Sequence, residues 1–336
     1  MTKSPQIEVY EGVAVRKLDP PPDDFDPFTA DAAELRLWGL PPRPEGTDQR
    51  RSWETALRRP LTYITPTFAL TGRRRQTFDD PESDGPTWSG MRAAAPEGTW
   101  MNSVSGRWTV PNTYPPGRGD LQSYECSSWV GIDDGTQSAD IIQAGVHSIV
   151  YDFPNFGLST ASSHMQVVYP WWEWVPGPEV AITNFPVLPG DTVWVSIYAF
   201  SPQEAQISLW NMGPGAITNF NVTNDPAVAF EFGEEFAGSG MPDIAGVCAE
   251  WIVERPQFRD AQGQIVPVKL ANYGSVFFYL MGAGASRDDG STELPTAYET
   301  ITMTSNAGVL SSSSGRIVTQ DAGTYTSTHC TFHRFE

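Results

Sequence analysis

Alternation of apolar and polar residues in short runs is the dominant pattern of this chain. After the turn-like "LPGDT" (188–192), Val193, Val195 and Ile197 fall on one side of an extended backbone and Trp194, Ser196 and Tyr198 on the other. From about residue 86 onward the same texture recurs in "GRWTVP", "SSWVGID", "ADIIQAG", "MQVVYPWWEWVP", "AQISLWN", "VCAEWIVE", "GSVFFYL" and "YETITMT". Clusters of Gly, Pro, Asn and Asp separate these runs, as turns separate strands. No helical period stands out among them, and no repeat of fixed length suggests a propeller or solenoid. The pattern predicts an all-β fold, a two-sheet antiparallel β-sandwich of the concanavalin-like jelly-roll kind.

Residues 1–85 read as an irregular, partly helical segment ahead of a sandwich domain spanning 86–336. "DPPPDDFDP" is an acidic, Pro-rich linker in type. "DAAELRLWG" predicts a short helix with Asp31 as N-cap and Gly39 past its end, and "TDQRRSWETALRR" suggests a second. "TGRRRQ" places Arg73, Arg74 and Arg75 in an exposed turn. Residues 1–75 hold 12 Lys/Arg and 11 Asp/Glu, which leaves 9 basic and 29 acidic residues of the totals 21 and 40 for the remainder. Two readings stand: a loosely ordered tail, or a basic-tipped arm attracted to a strongly acidic body.

The overall charge of −19 disfavours nucleic acid and anionic membrane surfaces as partners, and suits a protein that works in acid. No apolar run approaches the ~20 residues of a membrane span. The N-terminus lacks the apolar core of a secretion signal. Cys126, Cys248 and Cys330 cannot all pair with one another, and no spacing resembles a zinc site, so neither a disulfide scaffold nor a metal or other cofactor is expected. His329 and His333 read as a surface pair and Asn221-Val222-Thr223 as an accidental sequon. Nucleophile elbows, zinc-protease helices, Walker loops and dinucleotide fingerprints do not occur.

Carboxylate and amide chemistry on strands remains. In "CAEWIVERP", Cys248, Glu250, Ile252 and Glu254 share one strand face, and Ala249, Trp251 and Val253 take the other. Ionised carboxylates are seldom packed away unpaired, so this face is either a wet cleft or a solvated edge. The neighbouring runs divide in the same way. Trp129, Gly131 and Asp133 oppose Val130 and Ile132; Ile141, Gln143 and Gly145 oppose Ile142, Ala144 and Val146; Trp171, Glu173 and Val175 oppose Trp172 and Trp174. A sheet face carrying Trp129, Gln143, Trp171, Glu173, Glu250 and Glu254 would make a binding cleft; a solvated outer face is the alternative.

These motifs in this order, with "TWSGM" around Trp88 and "PGDTVWVSIYA" before "AEWIVERP", resemble the eqolisin family of glutamic peptidases over about residues 86–308. The resemblance implies a sandwich of two seven-stranded antiparallel sheets and an acid endopeptidase acting on polypeptide substrates, secreted and expected to be monomeric. It implies that Gln143 and Glu254 are catalytic and that Trp88, Trp129, Asp133, Trp171 and Glu173 line the cleft, with Glu250 in support. Departures fall at Val175, where the family has an aromatic residue, at Gln257, where it has an acidic one, and in the missing cysteines of the fungal members. The first 75 or so residues have no counterpart in the mature family enzymes, whose precursors carry basic propeptides.

Two other readings compete. A jelly-roll glycoside hydrolase would use Glu250 and Glu254 as its carboxylate pair, but Ile252 stands where such enzymes hold an Asp between them. Retaining chemistry also needs carboxyl groups ~5–5.5 Å apart, and Cα atoms four apart on a strand differ by ~13 Å. A non-catalytic sandwich would use Trp129 and Trp171 to stack peptide or glycan.

Overall fold

The computed structural model describes residues 7–43, 50, 53–55, 57–58, 60–73, 87–115, 122–133, 138, 140–153, 163–231, 240–259, 265–305, 308–320 and 323–333. Two large sheets face each other. The smaller runs, in hydrogen-bonded order, Tyr298–Ile301, Trp88–Ala94, Cys248–Glu254, Ser123–Ile132, Ile141–Phe153, Ser163–Val175, Val180–Ile182 and Phe68–Leu70. The larger runs Ile7–Tyr10, Val13–Lys17, Ala216–Thr223, Glu204–Asn211, Thr192–Ser201, Trp100–Thr109, Ser275–Ser286, Gly323–Phe332, Gly308–Gln320 and Met303–Ser305, with Thr292–Glu293 and Thr62–Tyr63 off that path.

The all-β, two-sheet sandwich expected from the alternation is what the chain forms. The division of faces holds strand by strand. Val130, Ile132, Ile142, Ala144, Trp172, Trp174, Ala249, Trp251 and Val253 enter the core between the sheets, where Val193, Val195 and Ile197 meet them. Burying a large apolar side chain is worth roughly 1.5–3 kcal/mol, and the indole N–H of Trp251 is satisfied by the Ser105 carbonyl at 2.8 Å. Trp129, Ile141, Trp171, Val175 and Ile252 form a separate cluster on the outward face of the smaller sheet.

The secondary structure departs from the sequence-based expectations in three places. The sheets hold 12 and 8 strands among the described residues rather than seven each. Part of the excess comes from the N-terminal segment, which adds Ile7–Tyr10, Val13–Lys17 and Thr62–Tyr63 to one sheet and Phe68–Leu70 to the other. Thr62–Tyr63 runs parallel to its neighbour, whereas the other paired strands among the described residues are antiparallel. A short helix, Pro226–Glu231, interrupts the region read as strands throughout.

The N-terminal segment is not a loose tail where it is described. Its helix Ala32–Leu37 begins with the capping box expected at Asp31, whose side chain accepts from the Glu34 amide while Glu34 reaches back. Arg50, Trp53–Thr55 and Leu57 are also helical, in the second stretch read as a helix. Leu35, Leu40, Trp53 and Leu57 pack on Trp210 and Ile217 of the larger sheet. Arg36 pairs with Glu204 at 2.7 Å. Among the described residues no helix is long and apolar enough to cross a membrane.

Candidate active site

Register decides which outward-facing residues meet. Gly131 stands opposite Gln143 on one side and Glu250 on the other, and Gln143 stands opposite Glu173. Glu250, Gly131, Gln143 and Glu173 therefore form one row across the sheet. A second row runs Trp88, Glu254, Ser127, His147, Tyr169. Between them lies Ile252, Trp129, Gly145, Trp171.

Glycines let the middle row close over the sheet. A Cβ on Gly145 would sit 2.2 Å from the Ser128 carbonyl oxygen and 2.5 Å from Trp129 Cβ, and one on Gly131 would sit 3.0 Å from Trp129 Cζ3. The Trp129 indole thus has its benzene edge over Gly131, beside Gln143, while its Nε1 donates to Glu254 Oε2 at 2.8 Å. Trp88 meets Trp129 edge-on at 4.9 Å between ring centroids, and Trp171 Nε1 donates to Ser127 Oγ at 3.0 Å.

Gln143 Nε2 donates to Glu173 Oε2 at 2.8 Å. That bond fixes which end of the amide is nitrogen and leaves a second N–H to give. Gln143 Oε1 has no hydrogen-bond partner among the described residues. Trp129, Gln143, Trp171, Glu173 and Glu250 are fully buried, and Glu254 is 3 % exposed. A carboxylate and an amide, each oriented by a dedicated neighbour on a low-dielectric face, are equipped for proton transfer and for polarising a carbonyl.

Seven of the eight residues singled out from sequence, Trp88, Trp129, Gln143, Trp171, Glu173, Glu250 and Glu254, lie on these three rows. Asp133 is placed elsewhere. Its backbone turns to φ 74°, which breaks the alternation past Ile132. Its carboxylate accepts from the amides of Gly246 at 2.9 Å and Val247 at 2.6 Å, clamping the approach to the Cys248–Glu254 strand. Asp140 lies beside it, and burial followed by the Asp133 charge pushes the Asp140 carboxyl up to about 8. Burial raises Asp133 too, against its amide donors and Asp140.

Sequence reading missed His147, although "IIQAGVH" sets it on the Gln143 face two steps beyond Gly145. It is wholly buried, with Nε2 2.9 Å from Glu125 Oε2 and Nδ1 3.7 Å from Glu179 Oε2. Its ring stacks on Tyr169, whose hydroxyl donates to Glu179 Oε1 at 3.0 Å. Arg73, far from being an exposed turn residue, makes a two-pronged pair with Glu125 at 2.5 and 3.0 Å; Arg74 and Arg75 lie outside the described residues. Burial acts to lower the His147 pKa, but the hydrogen bonds and charges of Glu125 and Glu179 overcome it and raise it. Burial acts to raise Glu125, and His147 and Arg73 together hold it below the ordinary range.

The sequence model of the Peptidase A4 family matches residues 86–325. Aspergillopepsin-2 of Aspergillus niger is 26 % identical over 232 residues, which cover 65 % of this chain and 71 % of that protein. A crystal structure of scytalido-glutamic peptidase with a transition state analog inhibitor superposes with a TM-score of 0.51 at 18 % identity, covering 74 % of this chain and 98 % of that one. That likeness is one of fold.

Proposed function

The chain belongs to the peptidase A4 family, the eqolisin glutamic peptidases, and from that premise we propose that the outward face of its smaller sheet cleaves peptide bonds with Glu254 as base and Gln143 as amide partner. The protein is a hydrolase, an acid-acting glutamic endopeptidase whose substrate is polypeptide. The observation that carries the assignment is the paired orientation just described: Glu254 held by Trp129, Gln143 held by Glu173, with one indole spanning the interval between them.

In this reading Glu254 takes a proton from a water molecule as that water attacks the scissile carbonyl. The free N–H of Gln143 stabilises the oxygen as it becomes negative, and being unable to ionise it does so at any pH. Glu254 then returns the proton to the departing amine. Trp88 and Trp171 flank the reacting groups, and Glu250 supports Gln143 from its own row. Residues 1–85 act as a wrapping arm to the sandwich domain at 86–336.

Three variants assayed for peptide cleavage at acid pH, with circular dichroism to confirm folding, test this. Glu254→Gln should abolish turnover. Glu250→Gln should keep activity, losing about 10- to 100-fold, the scale of supporting residues. Gln143→Ala should cost on the order of 10²–10³, the usual loss for one oxyanion donor. Equal losses at both glutamates with a silent Gln143 variant would overturn the assignment. A second reading has one observation in its favour, because Glu250 shares the row of Gln143 with only Gly131 between them. Abolition in Glu250→Gln with survival of Glu254→Gln would move the base to Glu250.

A further inference from the structure

The larger sheet has an outward face of its own, on the opposite side of the sandwich from Glu254 and Gln143. Strands Thr192–Ser201, Trp100–Thr109 and Ser275–Ser286 lie side by side there, and their register sets three rows. The first is Trp194, Arg107, Tyr279; the second is Ser196, Ser105, Gly282; the third is Tyr198, Ser103, Gly284. Val104, Val193, Val195 and Ile197 point the other way, into the core. The rows floor a trough ~10 Å wide over three strands and ~14 Å long over three rows. The cavity above them measures about 330 Å³, within the ordinary range of ligand sites.

The trough is low in the middle and walled on two sides. Serine and glycine fill its second and third rows except at Tyr198, and glycine inside a strand often marks a place where a ligand comes close to the backbone. Between Tyr279 and Gly282 the register shifts, and Leu280 takes the left-handed φ of 50°. Bulges of this kind re-aim side chains beside binding sites, and Leu280 here lines the cavity together with Leu294. The N-terminal arm supplies Pro41, Pro42, Arg43 and Trp53 to the lining. Those four lie ahead of the residues matched by the family, 86–325.

Charge narrows the ligand. Among the described residues that line the trough, the charged ones are Arg43 and Arg107, in a chain whose net charge is −19. Arg107 is held between two rings, its guanidinium carbon 5.8 Å from the centroids of both Trp194 and Tyr279. Arg43 is fixed by Nη2, which donates to the carbonyls of Phe28 at 2.8 Å and Ala30 at 2.9 Å, while its Nε is buried with no partner among the described residues. A guanidinium presents five N–H donors in a planar fork that matches a carboxylate. Pro41, Trp53, Leu280 and Leu294 offer an apolar surface, and Ser103, Ser105 and Ser196 offer hydroxyls that both give and accept hydrogen bonds. The ligand that answers all three features carries one carboxylate, an apolar body and an amide. The last residue of a peptide is such a group, and each peptide bond that is hydrolysed creates a new one.

We propose that this trough is a second binding site, which takes the C-terminal residue of a peptide with an apolar side chain and sets its carboxylate against Arg107 and Arg43. The site rests on the peptidase reading for the source of such peptide ends, so its test measures binding apart from turnover. Calorimetry on the full chain at pH 6, well above the pKa of ~3.3–3.7 of a terminal carboxyl, compares N-acetyl-phenylalanine, N-acetyl-phenylalanine amide and 3-phenylpropionate. The acid should bind at least tenfold more tightly than its amide, and 3-phenylpropionate, which lacks the amide group, at least fivefold more weakly than the N-acetyl acid. Arg107→Met should erase the preference for acid over amide. Ser196→Leu, which fills the floor without changing charge, should weaken binding of the acid at least tenfold and leave peptide cleavage unchanged. Glu254→Gln should bind the acid as the unaltered protein does, which separates the trough from the cleft whatever that variant does to turnover. Equal affinity for acid and amide in the unaltered protein, or undiminished binding in Ser196→Leu, overturns the site, whether or not Arg107→Met folds. Binding of 3-phenylpropionate as tight as that of the N-acetyl acid overturns the peptide end as its occupant.

Discussion

Replacing Asp140 by asparagine should remove much of the dependence of this fold's stability on pH. Asp140 and Asp133 are 1 % and 0 % exposed and adjacent, beside the loop that leads into the Cys248–Glu254 strand. Burial first, and the Asp133 charge second, raise the Asp140 carboxyl from 3.8 to about 8. In the unfolded chain this group ionises near 3.8, while in the folded protein it keeps its proton until about 8. Its contribution to stability is therefore whole below about pH 4, declines as pH rises, and is gone once the folded carboxyl ionises. Each pH unit in that window is worth ~1.4 kcal/mol for one group, so the three units from pH 4 to 7 cost on the order of 2–4 kcal/mol after some of the proton is shared with Asp133. At about 2–4 °C per kcal/mol for a chain of this size, the melting temperature should fall by on the order of 10 °C. Asparagine donates an N–H to Asp133 where the acid donated its O–H, and it cannot ionise. His147 titrates in the same direction, since its raised pKa means stability lost as pH rises through it, so the informative quantity is the difference between proteins. Thermal or urea unfolding of both from pH 4 to 8 measures it. Parallel stability curves for the two would show that the Asp133–Asp140 pair does not set the acid preference of the fold.

Other outcomes are equally specific. Trp129→Phe keeps the ring but removes the hydrogen bond to Glu254, so turnover should fall by about tenfold or more, the worth of a bond to a charged group; an unchanged kcat would detach the indole from the chemistry. Glu173→Ala releases the Gln143 amide, and kcat rather than KM should drop, by about 10- to 100-fold. Gly145→Ala forces a Cβ to 2.2 Å from a backbone oxygen, a clash expected to cost more than ~4 kcal/mol. A normal urea midpoint for that variant would contradict the close approach at Trp129. Cys126, Cys248 and Cys330 are buried thiols outside any disulfide, and burial pushes the Cys330 thiol up to about 12, so none should react with a thiol reagent until the protein is unfolded.

Much of the site is written in the covalent geometry of a strand. Successive side chains must point to opposite faces, so "SSWVGID", "ADIIQAG", "WWEWV" and "CAEWIVE" each disclose their inward and outward residues without reference to any neighbour. That is why Gln143, Glu173, Glu250, Glu254, Trp129 and Trp171 could be assigned to one face, and why the core of Val130, Ile142, Trp172 and Trp251 followed. The rule fails where its premise fails. At Asp133 the backbone leaves the extended region, and the side chain turns to the Gly246 and Val247 amides instead.

Alternation cannot say which strands are neighbours or in what register, and those are the facts that place Gly131 between Gln143 and Glu250 and lay Trp129 against Glu254. Nor could it find the partner of Arg73. Glu125 lies 52 residues further along the chain, and nothing in "TGRRRQ" or "YECSSW" points from one to the other. A lone His147 in an apolar run likewise carries no sign of the two carboxylates around it. Face is decided by bonds within a residue and its neighbours, whereas pairing is decided by how whole strands pack. The sequence therefore determined which groups look outward, and only the tertiary structure decided which of them touch.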